Sequence, residues 1–155
     1  LGAEALVLVL DRIQDPRNLG AILRSAAALD VAAVILPERR SAPLGAACAK
    51  AASGALDMVP IVEVANLVQA IETLKRAGFW VVGLDAHAET PLESLPFRSR
   101  RALVLGSEEK GMRRLVAEHC DLSAKLAISP RIDSLNVAVA AGIALYLLAR
   151  GLPRP

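Results

Sequence analysis

Polar residues whose side chains could bind a ligand or take part in catalysis are concentrated in three short segments, and each segment is bounded by apolar sequence. The first, 11–18 (DRIQDPRN), leads into Gly20 and Arg24. The second, 106–111 (GSEEKG), has a glycine at each end and a carboxylate at Glu108. The third, 129–136, ends in Ser-Leu-Asn. An arginine, a carboxylate and carboxamides are groups that bind phosphates and orient or deprotonate hydroxyls, so these segments are the first candidates for a site.

The first segment leaves the role of Arg24 open. Asn18 is a predicted N-cap for a helix over 19–29, and Gly20 permits another backbone or a ligand to approach closely. Most neighbours of Arg24 in this run are apolar, and a charge held against a core face needs a partner. Either Arg24 serves a ligand or it forms a salt bridge, for which the acidic candidates are Asp11, Asp30 and Glu108.

The other two segments also have plain structural interpretations. The 106–111 segment is either an ordinary turn or a turn that a ligand can approach, and it matches neither common glycine-rich phosphate motif. In the third segment Ser134 is a predicted N-cap. Asn136 then falls in the first turn of an apolar helix, where it needs a polar partner or serves a ligand. A capping network is the alternative.

The elements that must position these segments alternate along the chain. Short apolar runs predict strands at 5–10, 31–36, 79–84 and 102–105, with weaker candidates at 58–62 and 122–128. Helices are predicted over 19–29, 44–52 after Pro43, 65–77 before Gly78, 111–119, and 135–150 before Gly151 and Pro153. The alternation predicts an α/β fold, a mostly parallel sheet with helices on both faces. Ligands of such sheets bind at the carboxyl ends of strands, where the three segments lie.

Composition limits the functional classes. The chain has 155 residues, 54% of them hydrophobic and 22% charged, which is typical of one globular domain. A formal net charge of +2 neither requires nor excludes a nucleic-acid partner. Cys48 and Cys120 form no disulfide framework, no metal motif is present, and the longest apolar run, 137–149, is too short for a membrane. We expect a soluble cytoplasmic protein, and, since it begins at Leu1 without a methionine, a domain of a longer one.

Together the three segments resemble the three motifs of the SpoU (TrmH-like) branch of the SPOUT RNA methyltransferases. The matching stretches are 11–26 (DRIQDPRNLGAILRSA), 103–115 (LVLGSEEKGMRRL) and 126–140, and the resemblance covers nearly the whole chain. The stretches 108–121 (EEKGMRRLVAEHCD) and 49–55 (AKAASGA) are most similar to enzymes that 2′-O-methylate a guanosine of 23S ribosomal RNA. Transfer-RNA 2′-O-methyltransferases are the nearest alternative.

The resemblance implies a fold and partners that the spacing does not. It implies the α/β-knot, in which the C-terminal segment threads a trefoil that holds S-adenosylmethionine. It also implies a homodimer with the site near its interface, an RNA substrate (ribosomal RNA) and no metal. Residues 1–155 would form the catalytic domain, without the small N-terminal RNA-binding domain of full-length relatives.

The resemblance also implies the roles of individual residues. Arg24 would be the central catalytic residue, beside the ribose 2′-hydroxyl and the adjacent phosphate. Asn18, Glu108, Ser134 and Asn136 match the family's other functional positions. The residues expected to hold the cofactor, largely through backbone groups, are Gly106, Gly111, Leu126, Ile128 and Leu135.

One loop departs from the family pattern. The usual I-P-M-x-G is LAISP at 126–130 here, so Pro130 stands where the family has a glycine. Because proline cannot adopt a positive φ, we expect either another loop path or a lower cofactor affinity. This departure leaves open a weakened paralogue that still dimerises. A non-catalytic α/β nucleotide-binding module is a separate alternative, which has no reason to keep all the functional positions together.

Overall fold

Six strands form one parallel sheet in the computed structural model, which describes residues 2–150. The strands are β1 (Ala5–Asp11), β2 (Ala33–Pro37), β3 (Ile61–Val64), β4 (Trp80–Leu84), β5 (Arg100–Gly106) and β6 (Leu122–Ala124). Their spatial order is β3-β2-β1-β5-β4-β6, and every pairing between neighbouring strands is parallel. The predicted α/β class and parallel sheet are confirmed.

Helices cover both faces of this sheet. They are α1 (Pro16–Ala28), α2 (Ala46–Ala52), α3 (Leu67–Arg76), α4 (Arg114–His119) and α5 (Val137–Ala149), with short 3₁₀ turns at Ala55–Asp57 and Leu92–Ser94. Side chains of β1 alternate between two apolar clusters. Leu6, Leu8 and Leu10 join the cluster that includes α1 and α5, whereas Val7 and Val9 join the cluster that includes α3. The wholly apolar sequence of β1 follows from this two-sided burial.

Two helix starts differ from those predicted. Helix α1 begins at Pro16, and Asp15 is its N-cap, so Asn18 lies inside the first turn instead of capping it. Proline fits the first helical position because its missing N–H would have no partner there. Helix α5 begins at Val137 with Asn136 as the N-cap, so the prediction of Ser134 as the cap was wrong.

Other boundaries shift by a few residues. The helix predicted from 44 begins at Ala46, the one from 65 begins after the N-cap Asn66, and the one from 111 begins at Arg114. The strands predicted over 58–62 and 122–128 are Ile61–Val64 and Leu122–Ala124. Gly78 has the positive φ expected after a helix, at 82°. The stop signals predicted at Gly151 and Pro153 lie outside the described residues.

Gly20 makes the close approach of α1 to α2 possible. A Cβ at this position would lie 2.4 Å from the Cys48 carbonyl oxygen and 2.6 Å from Ala51 Cβ. The backbone that approaches Gly20 closely is therefore the backbone of α2. This contact fixes the helix that carries Asn18 and Arg24 against the rest of the domain.

Gly20→Ala is expected to lower the free energy of unfolding by at least about 2 kcal/mol, because backbone atoms cannot rotate away from the added methyl group. Gly142→Ala is the matched control. It also lies inside a helix, and its added Cβ would meet only Ser25 Oγ, at 3.4 Å. We expect the control to change stability by less than about 1 kcal/mol, in the stabilising direction. Urea denaturation measures both, and equal effects would contradict the role given to Gly20.

Both cysteines are free thiols in shielded positions. Burial, with a contribution from Asp121, raises the pKa of Cys120 to about 12, and burial also raises the pKa of Cys48. Since the thiolate is the reactive form, burial disfavours reaction at both thiols. Within residues 2–150, no helix is long and apolar enough to cross a bilayer.

Candidate functional site

A cleft of about 610 Å³ opens at the carboxyl ends of β1 and β5. These two strands end side by side, with Asp11 paired to Gly106 in the ladder. The cleft is lined from the first segment by Arg12, Gln14, Asp15 and Asn18, and from the second by 107–113. Two of the three polar segments thus meet where the sequence predicts.

A chain of side-chain hydrogen bonds joins all three segments. Asn18 Nδ2 donates to Glu108 Oε1 at 3.2 Å, and Asn136 Nδ2 donates to Asn18 Oδ1 at 3.1 Å. The Asp15 backbone N–H also points to Glu108 Oε1, at 3.5 Å. The carboxylate of Glu108 therefore lies at the N-terminus of α1, where negative charge is favoured.

Asn136 both caps α5 and contacts Asn18. Its Oδ1 accepts from the backbone N–H groups of Ala138, at 2.9 Å, and Val139, at 3.3 Å. Its Nδ2 remains for Asn18. The predicted capping network is confirmed, and it is continuous with the polar chain in the cleft.

The second segment is a tight turn closed by its own backbone. Ser107 and Gly111 exchange two backbone hydrogen bonds, of 3.1 and 3.0 Å. A Cβ on Gly106 would lie 1.9 Å from the Gly111 carbonyl carbon, and Gly111 has a φ of 67°. Both glycines are thus required by the turn itself, which holds Glu108 at its tip.

An ion pair between a buried carboxylate and a partly exposed arginine anchors this turn to β1. The side chain of Asp11 is fully buried and binds Arg113 through three contacts. Its Oδ1 accepts from Arg113 Nε at 2.8 Å and lies 2.7 Å from Nη2, and its Oδ2 accepts from the Arg113 backbone N–H at 2.8 Å. Both guanidinium donors converge on the one oxygen Oδ1, and such charge-assisted hydrogen bonds are stronger than those between neutral groups. The pair therefore holds Arg113, which follows the turn, against the carboxyl end of β1.

Several groups at the cleft are not predicted from the sequence. The sequence offers Asp11 as a possible partner of Arg24, and its pairing with Arg113 has no local sequence signal. Arg12 lines the cleft with a φ of 64°, a conformation that non-glycine residues rarely adopt. Asp15 was detectable, since Asp-Pro is a helix-start signal. A hydrogen bond from the Arg17 backbone N–H lowers the pKa of Asp15.

Arg24 lies apart from the cleft. It is exposed on α1 and forms no ion pair with any residue of 2–150, so the salt-bridge interpretation was wrong. Asn18 and Arg24 are six residues apart, which separates them by about 120° around the helix. Arg24 instead shares an exposed stripe with Arg17 and Ala28, seven and four residues away.

The remaining predicted residues lie in the loop from β6 to α5. Ser134 is exposed, Ile128 is 38% exposed, and Leu126 and Leu135 are half-buried. None of these four lines the cleft.

Pro130 occupies a turn in this loop. The Ile132 N–H donates to the Ser129 carbonyl at 3.2 Å, so Pro130 is the second residue of the turn, a position that proline favours. No residue of 126–136 has a positive φ. The loop therefore follows a path that accommodates proline.

Comparison with known proteins identifies the family. The model of the SpoU rRNA Methylase family matches residues 5–146. The chain is 48% identical over 149 residues to the 23S rRNA (guanosine-2′-O-)-methyltransferase RlmB of Xylella fastidiosa, covering 96% of this chain and 60% of that protein. The crystal structure of an AdoMet-bound rRNA methyltransferase from Sinorhizobium meliloti superposes with a TM-score of 0.88 at 28% identity, covering 97% of this chain and 57% of that one. The A. aeolicus TrmH/SpoU tRNA modifying enzyme superposes with a TM-score of 0.84 at 27% identity, covering 95% and 75%. The motifs, the fold and these matches agree that the chain belongs to the SpoU rRNA methylase family.

Proposed function

We propose that this protein transfers a methyl group from S-adenosylmethionine to a ribose 2′-hydroxyl of RNA, on a guanosine of 23S ribosomal RNA. The observation that carries the proposal is the hydrogen-bonded chain Asn136–Asn18–Glu108, which joins the three family motifs at one cleft. The Xylella relative, named for this reaction, supports the choice of substrate. The chain spans about 60% of that relative's length, so the activity is proposed for the matched domain. A ribosomal RNA substrate puts the reaction in the cytoplasm.

The loop after β6 fits the adenosyl part of the cofactor. Within residues 2–150, Leu126, Ala127 and Ile128 form no backbone hydrogen bond, so their N–H and C=O groups are free to bind an adenine edge. Buried backbone groups need such partners once a ligand covers them. The half-exposed Ile128 and the half-buried Leu135 offer apolar surface to the ring. Gly106 and Gly111 shape the adjoining turn.

The cofactor supplies an activated methyl group, so the chain's task is alignment and removal of the hydroxyl proton. Asn18 is held at both ends of its amide, by Glu108 and by Asn136, and therefore has one fixed orientation. In the proposed mechanism the two asparagines orient the ribose, and Glu108 accepts hydrogen bonds from it. Ser134 supports the loop before α5.

Arg24 completes the site from a second subunit in this proposal. Helix α5 carries no charged residue, and Val139, Ile143 and Tyr146 are each 42–53% exposed along it. Helices α1 and α5 are adjacent, since a Cβ added at Gly142 of α5 would lie 3.4 Å from Ser25 Oγ of α1. An apolar strip of this kind is typical of a homodimer interface. A second copy over α1 and α5 brings Arg24 to the substrate phosphate, where its guanidinium stabilises developing charge.

Two further features belong to the proposal. The segment 125–136 follows the knotted path of the family, and residues 1–155 form its catalytic domain. The segment lies between the edge strand β6 and helix α5, which packs beside α1 on one face of the sheet.

A transfer-RNA substrate is the second candidate, and it is favoured by the superposition on the A. aeolicus tRNA modifying enzyme. Both candidates share the same chemistry and the same predicted site. A non-catalytic nucleotide-binding module differs from both, because it would bind no S-adenosylmethionine productively and transfer no methyl group.

Two measurements test the function. Calorimetric titration with S-adenosylmethionine is expected to show one site per subunit with a Kd of roughly micromolar strength, and NADH is the control ligand. Incubation with the tritiated cofactor and a 23S ribosomal RNA transcript is expected to yield a 2′-O-methylguanosine. Label only in transfer RNA would select the second candidate. Cofactor binding with no transfer to either RNA would favour the weakened paralogue, and the absence of cofactor binding would favour the binding module.

A further inference from the structure

The loop after β2 carries two adjacent arginines that have no partner within residues 2–150. Arg39 and Arg40 lie in the segment 38–43 (ERRSAP), which we call the Arg40 loop. Both residues are exposed, and neither forms an ion pair or a hydrogen bond with any residue of that range. Glu38, the acidic residue of the loop, is also exposed and pairs with neither arginine. Both guanidinium groups are therefore available to an anionic ligand.

The Arg40 loop is attached to one wall of the cleft. Strands β1 and β2 are neighbours, about 5 Å apart, and pair Val9 with Ile35, two residues before each strand ends. The Ala42 backbone N–H donates to the Ile13 carbonyl at 2.7 Å, which ties the loop to the segment after β1. Arg12 of that segment lines the cleft and has no ion-pair partner in residues 2–150. Unpaired arginines therefore follow both strands at this edge of the sheet.

Arg12 and Arg40 also share an unusual backbone conformation. Within residues 2–150, the non-glycine residues with a positive φ are Arg12 (64°), Asp30 (53°), Arg40 (62°) and Ser53 (49°). Asp30 and Ser53 lie at the ends of α1 and α2, where a left-handed residue commonly closes a helix. Neither arginine lies at the end of a helix, and a long side chain rarely adopts this conformation. Strain of this kind is concentrated at functional sites.

The chemistry of the Arg40 loop fits the backbone of a nucleic acid. A guanidinium group binds two phosphate oxygens at once, and contacts to phosphates position a strand without reading its sequence. The loop contains no aromatic residue, so it cannot hold bases by stacking. We propose that Arg39 and Arg40 bind backbone phosphates of the RNA beside the target nucleotide, and that the strand leaves the cleft past Arg12. The proposal rests on the proposed function and adds to it the path of the substrate across the ends of β1 and β2.

The double variant Arg39→Gln/Arg40→Gln tests this path, by filter binding to the 23S ribosomal RNA transcript between about 0.1 and 1 M sodium chloride. Each phosphate contact to a single strand contributes about 0.7 to the slope of log K against log salt concentration. Two lost contacts should lower the magnitude of the slope by about 1.4 and raise the RNA Kd by about 25-fold at 0.1 M salt, and the two proteins should converge near 1 M. In single-turnover transfer, the RNA concentration that gives half the maximal rate should rise similarly, and the maximal rate should change by less than about twofold.

Arg76→Gln/Arg98→Gln is the matched control, because it removes the same total charge from two exposed arginines. Arg76 ends α3 before β4, and Arg98 precedes β5, so both lie near the amino ends of the strands, opposite the cleft. We expect this control to raise the RNA Kd by less than about threefold, through net charge alone. Calorimetry should give the wild-type Kd for S-adenosylmethionine in both double variants, which shows that they are folded.

Arg40→Gly tests whether the conformation of this residue is kept for the ligand. Glycine adopts a φ of 62° without strain, so the Tm should equal or exceed that of the wild type. The RNA Kd should nevertheless rise by about fivefold at 0.1 M salt, since one phosphate contact is lost. A clear fall in Tm would show that Arg40 stabilises the loop instead of serving a ligand, and would overturn the proposal.

Three further results would overturn it. A wild-type salt slope in Arg39→Gln/Arg40→Gln would show that the loop contacts no phosphate. An equal loss of affinity in the control pair would show an effect of net charge alone. A lower maximal transfer rate with unchanged RNA affinity would assign the two arginines to the chemical step. Failure of the proposed function is distinguishable, because the wild type would then transfer no methyl group. The predicted loss of RNA affinity in the variant would still support the loop as an RNA contact.

Discussion

Replacing Arg24 by alanine is expected to lower methyl transfer by about 10²–10³-fold, the cost of removing one preorganised donor from a charged transition state. The Kd for S-adenosylmethionine should change by less than about twofold, because Arg24 is exposed on α1 and does not line the cleft. Stability should also be retained, since the side chain is exposed and has no ion-pair partner in residues 2–150. Single-turnover transfer, calorimetry and urea denaturation measure the three quantities.

Arg17→Ala is the matched control for this experiment. It removes an exposed arginine from the same stripe of α1, seven residues away, whose salt bridge to Asp15 is open to solvent. We expect it to retain transfer within about twofold. Equal losses in the two variants would indicate a general electrostatic effect on RNA binding. Full transfer by Arg24→Ala would remove Arg24 from the mechanism.

The pH dependence of transfer separates two roles for Arg24. A guanidinium is a poor base at neutral pH, whereas phosphate binding needs the protonated group. If Arg24 binds phosphate, it makes no contribution to a rise in the transfer rate between about pH 8 and 10. Arg24→Lys then restores only part of the loss, because an ammonium cannot form the bidentate contact.

Arg113→Ala is expected to produce the largest loss of stability, about 3 kcal/mol or more, because it leaves the fully buried Asp11 carboxylate without its counter-charge. One hydrogen bond from the backbone N–H of residue 113 remains, which limits the loss. Asp11→Asn should cost less. Its uncompensated partner is the Arg113 side chain, which is 41% exposed and open to water.

The neighbouring Arg114→Ala is the control for Arg113→Ala. It breaks a salt bridge to Glu118 one turn along α4, with both side chains exposed, and should cost less than about 0.5 kcal/mol. The double variant Asp11→Asn/Arg113→Ala should recover part of the loss, since no buried charge remains. Urea midpoints for the four variants test the pair. Additive losses would mean that Asp11 and Arg113 act independently.

The sequence predicts the sheet better than the helix starts. Strands buried on both faces have unmistakable apolar runs, and β1 is an example. Helix starts depend on which of several nearby polar residues caps the helix. At α1 both Asp15 and Asn18 are acceptable N-caps by residue type, and Asp15 is the cap in the structure. At α5 both Ser134 and Asn136 are acceptable, and Asn136 is the cap. Residues at the true caps are the ones whose backbone geometry fits, and spacing alone cannot select them.

In the candidate site, too, some contacts can be predicted from the sequence and others cannot. The carboxyl-end rule brings Asn18 and Glu108 together correctly, because it follows from parallel strand topology. The surroundings of Arg24 were misjudged because its neighbours are mainly alanines, which occur on buried and exposed helix faces alike. The Asp11–Arg113 pair joins residues distant in sequence, and only the folded turn brings them into contact.

The pairing of β1 with β5 has a consequence for the order in which the protein folds. This central ladder joins residue 5 to residue 100 and residue 11 to residue 106, whereas β1 and β2 are close in sequence. During synthesis, β1 leaves the ribosome long before its central partner exists, and closing so long a loop is slow. Its apolar edge must meanwhile be shielded by β2 and α1. The cleft lies at the end of this ladder, so it forms only after residue 106 has been made, and a product that ends before β5 is unable to assemble it.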